Sequence, residues 1–343
     1  MKLNFKNEEY KKTAKRIMET KNKGGSKGDI HSLSKAFMIL IKAKDKDSEE
    51  FQKKNLDNLC KELQFNCYPD LTIDEIYEMT QGRGEVFEKN PEIVSKVILN
   101  CAKACVQNGK YLGTNTIEGT KINTSAWMSH SLHSAELAGQ FAKMAGVDNE
   151  KIQTLALLHD YGRKYTHTFE HVTKGFEKLI DEGWEAEASA TLTHSFINGG
   201  RCANCEPAEE GFYIDEEGKP KWIDNSYKDD VTEVLENYDY DIYDNILNIV
   251  DLMATAEGIV APYDRVCDIA TRKTPDPKNR KYFLSEYINK LNEFLVKMGK
   301  QEEFEKVNPT DTEENINAKF KEISEKFFNV YKEEINKEHI NKK

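Results

Sequence analysis

The chain has 343 residues, enough for a sizeable core, and its 38% apolar content with 15 Tyr, 16 Phe and only 8 Pro excludes a disordered polymer. Sixty acidic against 49 basic residues leave a formal charge of −11. That balance removes the global attraction to phosphate backbones or anionic lipid that long nucleic acids and membranes require, although a local basic patch remains open.

The N-terminus, from Met1 to Lys12, lacks the apolar core of a signal peptide, and the longest purely apolar run, Ala36 to Ile41, is far short of a bilayer span. A cytosolic protein is expected. Seven Cys is an odd number, and reduced thiols are the simpler account. Cys202 and Cys205 form a C-x-x-C pair, for which only Cys101 and Cys105 could complete a zinc knuckle.

In chain order, Leu56, Leu59, Cys60 and Leu63 share one helical face, and Asn90 before Pro91 marks a helix start ahead of Ile93, Val94, Val97, Ile98 and Leu99. Strand alternation is scarce, so the fold is expected to be mainly α. Residues 107–124 carry three Gly with no helical period and read as a loop. A boundary there separates an N-terminal helical region, 1–124, from a second unit at 125–275.

Beyond it, Leu132, Leu137, Phe141 and Met144 predict one helix ended by Gly146, and Ile152, Leu155, Leu157 and Leu158 predict a second. Further helices are predicted from about His171 to Asp181 and from Glu185 to Phe196. Residues 199–227, rich in Gly and acidic side chains, read as a long insertion with a short hairpin near Glu217-Gly218. From 276 to 343 the chain is expected to form helices that pack on the body, with Phe320, Ile323, Phe327, Val330 and Tyr331 as the apolar stripe.

Six of the eight His (His130, His133, His159, His167, His171 and His194) fall between positions 130 and 194. Imidazole is a common metal ligand and titrates near neutrality, so such a cluster beside a carboxylate points to a metal or acid–base site. In Leu155-Ala156-Leu157-Leu158-His159-Asp160-Tyr161-Gly162-Arg163, an apolar helix runs into a His-Asp pair and stops at Gly162. Upstream, His130 precedes the Ala135-Glu136-Leu137-Ala138 segment of another apolar helix.

Over residues 125–272 the chain resembles the HD-domain superfamily of metal-dependent phosphohydrolases. The resemblance implies an HD-type helical bundle in which His130, His159, Asp160 and Asp251 ligate metal. His171 and His194 are similar in order and spacing to the additional ligands of the dinuclear branch. Cyclic-dinucleotide members carry a second adjacent His and a Gly-Tyr-Pro motif; His194-Ser195-Phe196 and Asn198-Gly199-Gly200 stand here, which argues against cyclic-di-GMP as substrate.

The activity implied is hydrolysis of a small phosphorylated molecule, a nucleotide or signalling nucleotide, through water activated by two divalent transition-metal ions that share Asp160. Ligands rich in His suit Mn, Fe, Co, Ni or Zn better than Mg. Arg163 and Lys164, next to the His-Asp pair, are candidate phosphate cations in catalysis, or ordinary surface cations. Arg265 is a second clamp candidate, or a salt-bridge partner of Asp264 or Asp268.

His133, one turn after His130, is either a substrate contact or a hydrogen-bonded surface group, and His167 is either an alternative ligand to His171 or a loop residue. Arg201, with Phe212, Tyr213 and Trp222 in the insertion, is a candidate phosphate clamp in a lid over the cleft; a solvated insertion is the alternative. Two other functions remain open on the same residues: a regulatory metal- or ligand-binding protein without turnover, and a di-iron oxygenase.

Overall fold

The computed structural model describes residues 2–21, 33, 36–37, 39–40, 49–66, 68–80, 97, 99–100, 114–117, 120–123, 125–166, 168–196, 212–214, 220–222, 229–273, 277–303 and 306–340. Among them the protein is mainly helical, with two short hairpins. The helix start expected at Asn90-Pro91, the thiols of Cys101, Cys105, Cys202 and Cys205, and His167 and Arg201 lie outside the described residues. No described helix is long and apolar enough to cross a membrane.

Among the described residues, α1 (Glu8–Lys21), α2 (Glu49–Asn66) and α3 (Ile73–Thr80) precede the central bundle. The N-terminus docks on that bundle. Leu3 and Phe5 are buried, Phe5 meets Phe176 at 5.3 Å between ring centroids, and the backbone amides of Leu3 and Lys6 donate to Asp229 and Glu177. Where a loop was expected between 107 and 124, β1 (Thr114–Ile117) and β2 (Thr120–Asn123) pair antiparallel. Their β-branched Thr and Ile favour the pleat, but four-residue strands are too short to show an alternation in the sequence.

The bundle begins with α4 (Ser125–Ala145) and α5 (Asn149–Leu158), packed on each other. Gly146, at φ +66°, turns the chain out of α4, and the Asp148 side chain accepts from the Lys151 amide to cap α5. A 3-10 turn at Tyr161–Lys164 leads to α6 (His171–Asp181) and α7 (Glu185–Thr193). Between α7 and α8 (Asp230–Leu235), the insertion contains β3 (Phe212–Ile214) and β4 (Pro220–Trp222), a hairpin that brackets Glu217-Gly218 as expected.

Next comes α9 (Ile242–Asp251), started by an Asp241 capping box with Asp244, then α10 (Pro262–Lys273), α11 (Pro277–Lys297) and α12 (Glu313–Ile340). The last two close the core. Phe141 of α4 meets Phe294 and Phe327, each at 5.3 Å, and Tyr331 at 5.8 Å. Phe320 and Phe327 of the C-terminal stripe are fully buried, which explains why that helix holds an apolar face in an otherwise charged segment.

Candidate metal centre

Five helices deliver six side chains to one place. His130 projects from α4, His159 and Asp160 follow α5, His171 opens α6, His194 follows α7 and Asp251 ends α9. His130 Nε2 lies 2.9 Å from Asp251 Oδ1 and 3.2 Å from His159 Nε2. On the other side His171 Nε2 lies 3.0 Å from Asp160 Oδ1 and 3.2 Å from His194 Nε2.

Asp160 stands between the two groups. Its Oδ2 is 3.8 Å from His130 Nε2 and 3.9 Å from His159 Nε2, whereas its Oδ1 faces His171 and, at 3.6 Å, His194. Each oxygen therefore serves its own histidine pair. His130, His159 and Asp160 form one cluster able to hold a metal ion, and Asp160, His171 and His194 form another.

The ring tautomers favour ligation. Nδ1 of His130, His159, His171 and His194 reaches the carbonyl of Ala254, Ala156, Thr168 and Ala190, respectively, at 2.6–3.1 Å. A carbonyl only accepts, so each Nδ1 carries the proton and each Nε2 presents a lone pair to the centre. Two such lone pairs facing each other at 3.2 Å repel unless a cation or a proton lies between them. The residues present thus fit a metal by their own chemistry.

Electrostatics agree with that arrangement. Burial works against charge on Asp160, but Arg163, His171 and His159 outweigh it and hold the carboxyl well below the usual range. Asp251 is likewise held down, burial being overcome by the nearby His130 and His159. Burial opposes protonation of His159 as well, yet the neighbouring Asp160 and Asp251 carboxylates push its pKa up. His194 is pushed down to about 3, first by burial and then by the charge of His159.

Gly162 explains the glycine after the His-Asp pair. A Cβ there would lie 1.9 Å from the His171 carbonyl oxygen and 2.8 Å from the Gly175 amide, so the 3-10 turn can press against the start of α6 only without a side chain. That close approach brings His171 to Asp160.

The centre opens into a cleft of ≈ 470 Å³, lined also by Trp127, Arg163, Phe169, Arg265, Ile269 and Phe283. Arg163 Nε lies 3.4 Å from Asp160 Oδ1. Lys164 is corrected by the structure: it is buried, its Nζ donates to the Ile39 carbonyl at 2.7 Å, and it does not line the cleft. The 3-10 turn sends the two adjacent cations to different neighbours. His133 also stays outside the cleft lining, its Nδ1 bonded to the Thr255 carbonyl at 2.8 Å.

Two residues not singled out from sequence contribute. Asn248, buried on α9, donates from Nδ2 to the carbonyls of Thr193 and His194, each at 2.8 Å. Trp127, one turn before His130, lines the cleft. The only available signal was helical spacing from Asp251 and His130.

Residues 127–201 match the family model described as HD domain. That stretch is similar to the HD domain, a helical fold, and lies within the helical bundle described above. The matched stretch contains five of the six residues above and ends before Asp251, whose place in the centre rests on its distances alone. No curated protein and no solved structure matches the chain.

Proposed function

We propose that this protein is a metal-dependent hydrolase of phosphoester bonds in a small phosphorylated substrate, a nucleotide or signalling nucleotide being the leading class. The observation that carries the reading is Asp160, whose two oxygens each face a separate histidine pair. His130, His159, Asp160 and Asp251 would hold one ion, and Asp160, His171 and His194 a second. The nitrogen-rich donor set suits Mn, Fe, Co, Ni or Zn.

Two ions bound there supply Lewis acidity towards a phosphoryl group and lower the pKa of a water at the site. The protein's own groups do the rest. Backbone carbonyls keep four imidazoles in the ligating tautomer, and Arg163, beside Asp160, offers a cation to phosphate oxygens in a partly desolvated cleft. A cleft of ≈ 470 Å³ suits a small molecule. The charge of −11 adds to the case against a long nucleic acid.

The test combines elemental analysis of protein purified without chelator with a phosphoester panel. About two ions per chain and metal-dependent phosphate release are expected, with His159→Ala and Asp160→Ala each abolishing turnover in a folded protein. Replacing His171 and His194 together by Ala should remove one ion. Full activity of either single variant at unchanged metal content overturns the reading. So does oxygen-dependent turnover without phosphate release, which would assign the site to redox chemistry.

A further inference from the structure

The cleft lining holds two further side chains outside the six of the metal centre, Trp127 and Arg265. Arg265 Nε and Trp127 Nε1 are both buried and have no hydrogen-bond partner among the described residues. Both residues line the same cavity. Leaving a buried donor unpaired is unfavourable, and with both donors on residues that line one cavity, an acceptor on a ligand that draws these side chains toward it would satisfy them.

Arg265 is unusual in this chain. Carboxylates outnumber cations 60 to 49, and Asp264 and Asp268 flank it on α10, yet no ion pair joins it to either among the described residues. Nor is it paired with Glu257, which shares the cleft wall, or with Asp160 and Asp251 of the metal centre. Arg163, by contrast, is held by Asp160. The two arginines therefore face different tasks, and only Arg163 is tied to the ligand cluster.

The chemistry of the pair narrows what it reads. A guanidinium and an indole N–H only donate, so they match a group that only accepts. A hydroxyl, an amine or a mixed nucleobase edge would bring donors of its own. A carboxylate or phosphate fits best, because Arg adds charge and geometry to the bond. Ile269, one turn after Arg265 on α10, and Phe283 of α11 line the cavity beside them and suit a flat apolar spacer.

We propose that Trp127 and Arg265 bind a second oxyanion of the substrate, so that the substrate is a phosphoester whose organic part carries a carboxylate or a further phosphate. This rests on the phosphohydrolase reading and adds the substrate's second charged group to it.

The test uses the full-length, metal-loaded protein and three non-hydrolysable probes: phenylphosphonate, 4-carboxyphenylphosphonate and 1,4-phenylenediphosphonate. Dissociation constants are measured by calorimetry at fixed ionic strength. At least one bis-anionic probe should bind about tenfold or more tightly than phenylphosphonate, on the scale of a charge-assisted hydrogen bond. Whether the carboxylate or the second phosphonate gains more identifies the source of the oxyanion.

Arg265→Gln and Trp127→Phe should each cut that ratio to about threefold or less. The second variant keeps an aromatic ring and the net charge but loses the pyrrole ring with its N–H, so its effect is not loss of a cation, and an unchanged affinity for phenylphosphonate shows that the wall has not collapsed. A wild-type ratio near one, or a ratio unchanged in both variants, overturns the subsite while leaving the phosphohydrolase reading intact. Failure of all three probes to bind overturns both.

Discussion

Replacing Asn248 by Leu separates positioning of a ligand from support of the fold. The Asn248 amide holds two backbone carbonyls at the end of α7, and the two are not equivalent. Thr193 O also accepts from the Phe196 amide at 3.2 Å and keeps a partner, whereas His194 O loses the bond that orients it. One lost bond costs about 1 kcal/mol and an orphaned buried carbonyl about 1–3 kcal/mol. Asn248 Oδ1 is itself buried without a partner, so its removal offsets part of that cost and leaves a net destabilisation of roughly 1–3 kcal/mol. The larger effect should fall on the metal. Groups that orient a ligating His are commonly worth about 10–100-fold in metal affinity. Chelated protein titrated with Mn or Co should therefore show one of two sites weakened by that factor and the other nearly unchanged, alongside the modest loss in urea denaturation. Two sites of unchanged affinity in a destabilised variant would refute the argument and reduce Asn248 to a helix-end hydrogen bond.

Gly162→Ala should cost about 1–3 kcal/mol or more from overpacking, because its Cβ meets backbone that cannot swing away, and it should also lower binding of the ion beside His171. Wild-type stability with a full metal count would contradict the close approach. Lys290 supplies a pH dependence away from the centre: burial drives its pKa down to about 8, against the opposing charges of Glu286, Glu293 and Asp244, while its Nζ bonds to Asn245. The unfolded chain holds that proton up to about 10.4. Stability is therefore lost as pH falls from that value to about 8, and regained in the other direction at up to ~1.4 kcal/mol per pH unit. Lys290→Met removes the titration. Denaturation at pH 7.5 and 9.5 should show the wild type gaining about 2 kcal/mol relative to the variant, and a constant difference would show that the lysine is not desolvated.

Much of the bundle is legible because its signals are local. Gly146, Asp148 and the apolar period of α5 mark one helix end and the next start, and the helix predicted from His171 to Asp181 has those bounds. Candidate ligands at helix ends can be read for the same reason: a polar residue where an apolar run stops faces what the run buries. Lys164 could not be placed this way. Its direction depends on the chain tightening into a 3-10 turn after Asp160, which a helical spacing argument does not contain. Asn248 and Trp127 escape because one amide or one indole has no period, and their roles exist only across helices.

The same cross-helix logic ties the two halves of the centre together. Asp244, Asn248 and Asp251 recur at i, i+4 and i+7 on α9. Asp244 accepts from Thr193 and Tyr238, Asn248 holds the His194 carbonyl, and Asp251 joins His130 and His159. One helix face thus supports a ligand of one half and the backbone of the other, while Asp160 spans both. On the proposed reading, the charge balance explains why the centre would need cations to receive a phosphate. Asp160 and Asp251 are held ionised, His194 is held neutral, and Arg163 is already engaged by Asp160. A phosphate dianion entering this cluster would meet two carboxylates in a desolvated site, where repulsion is weakly screened. On the proposed reading, divalent ions held between the histidine pairs would reverse that sign, so phosphate binding would require metal loading.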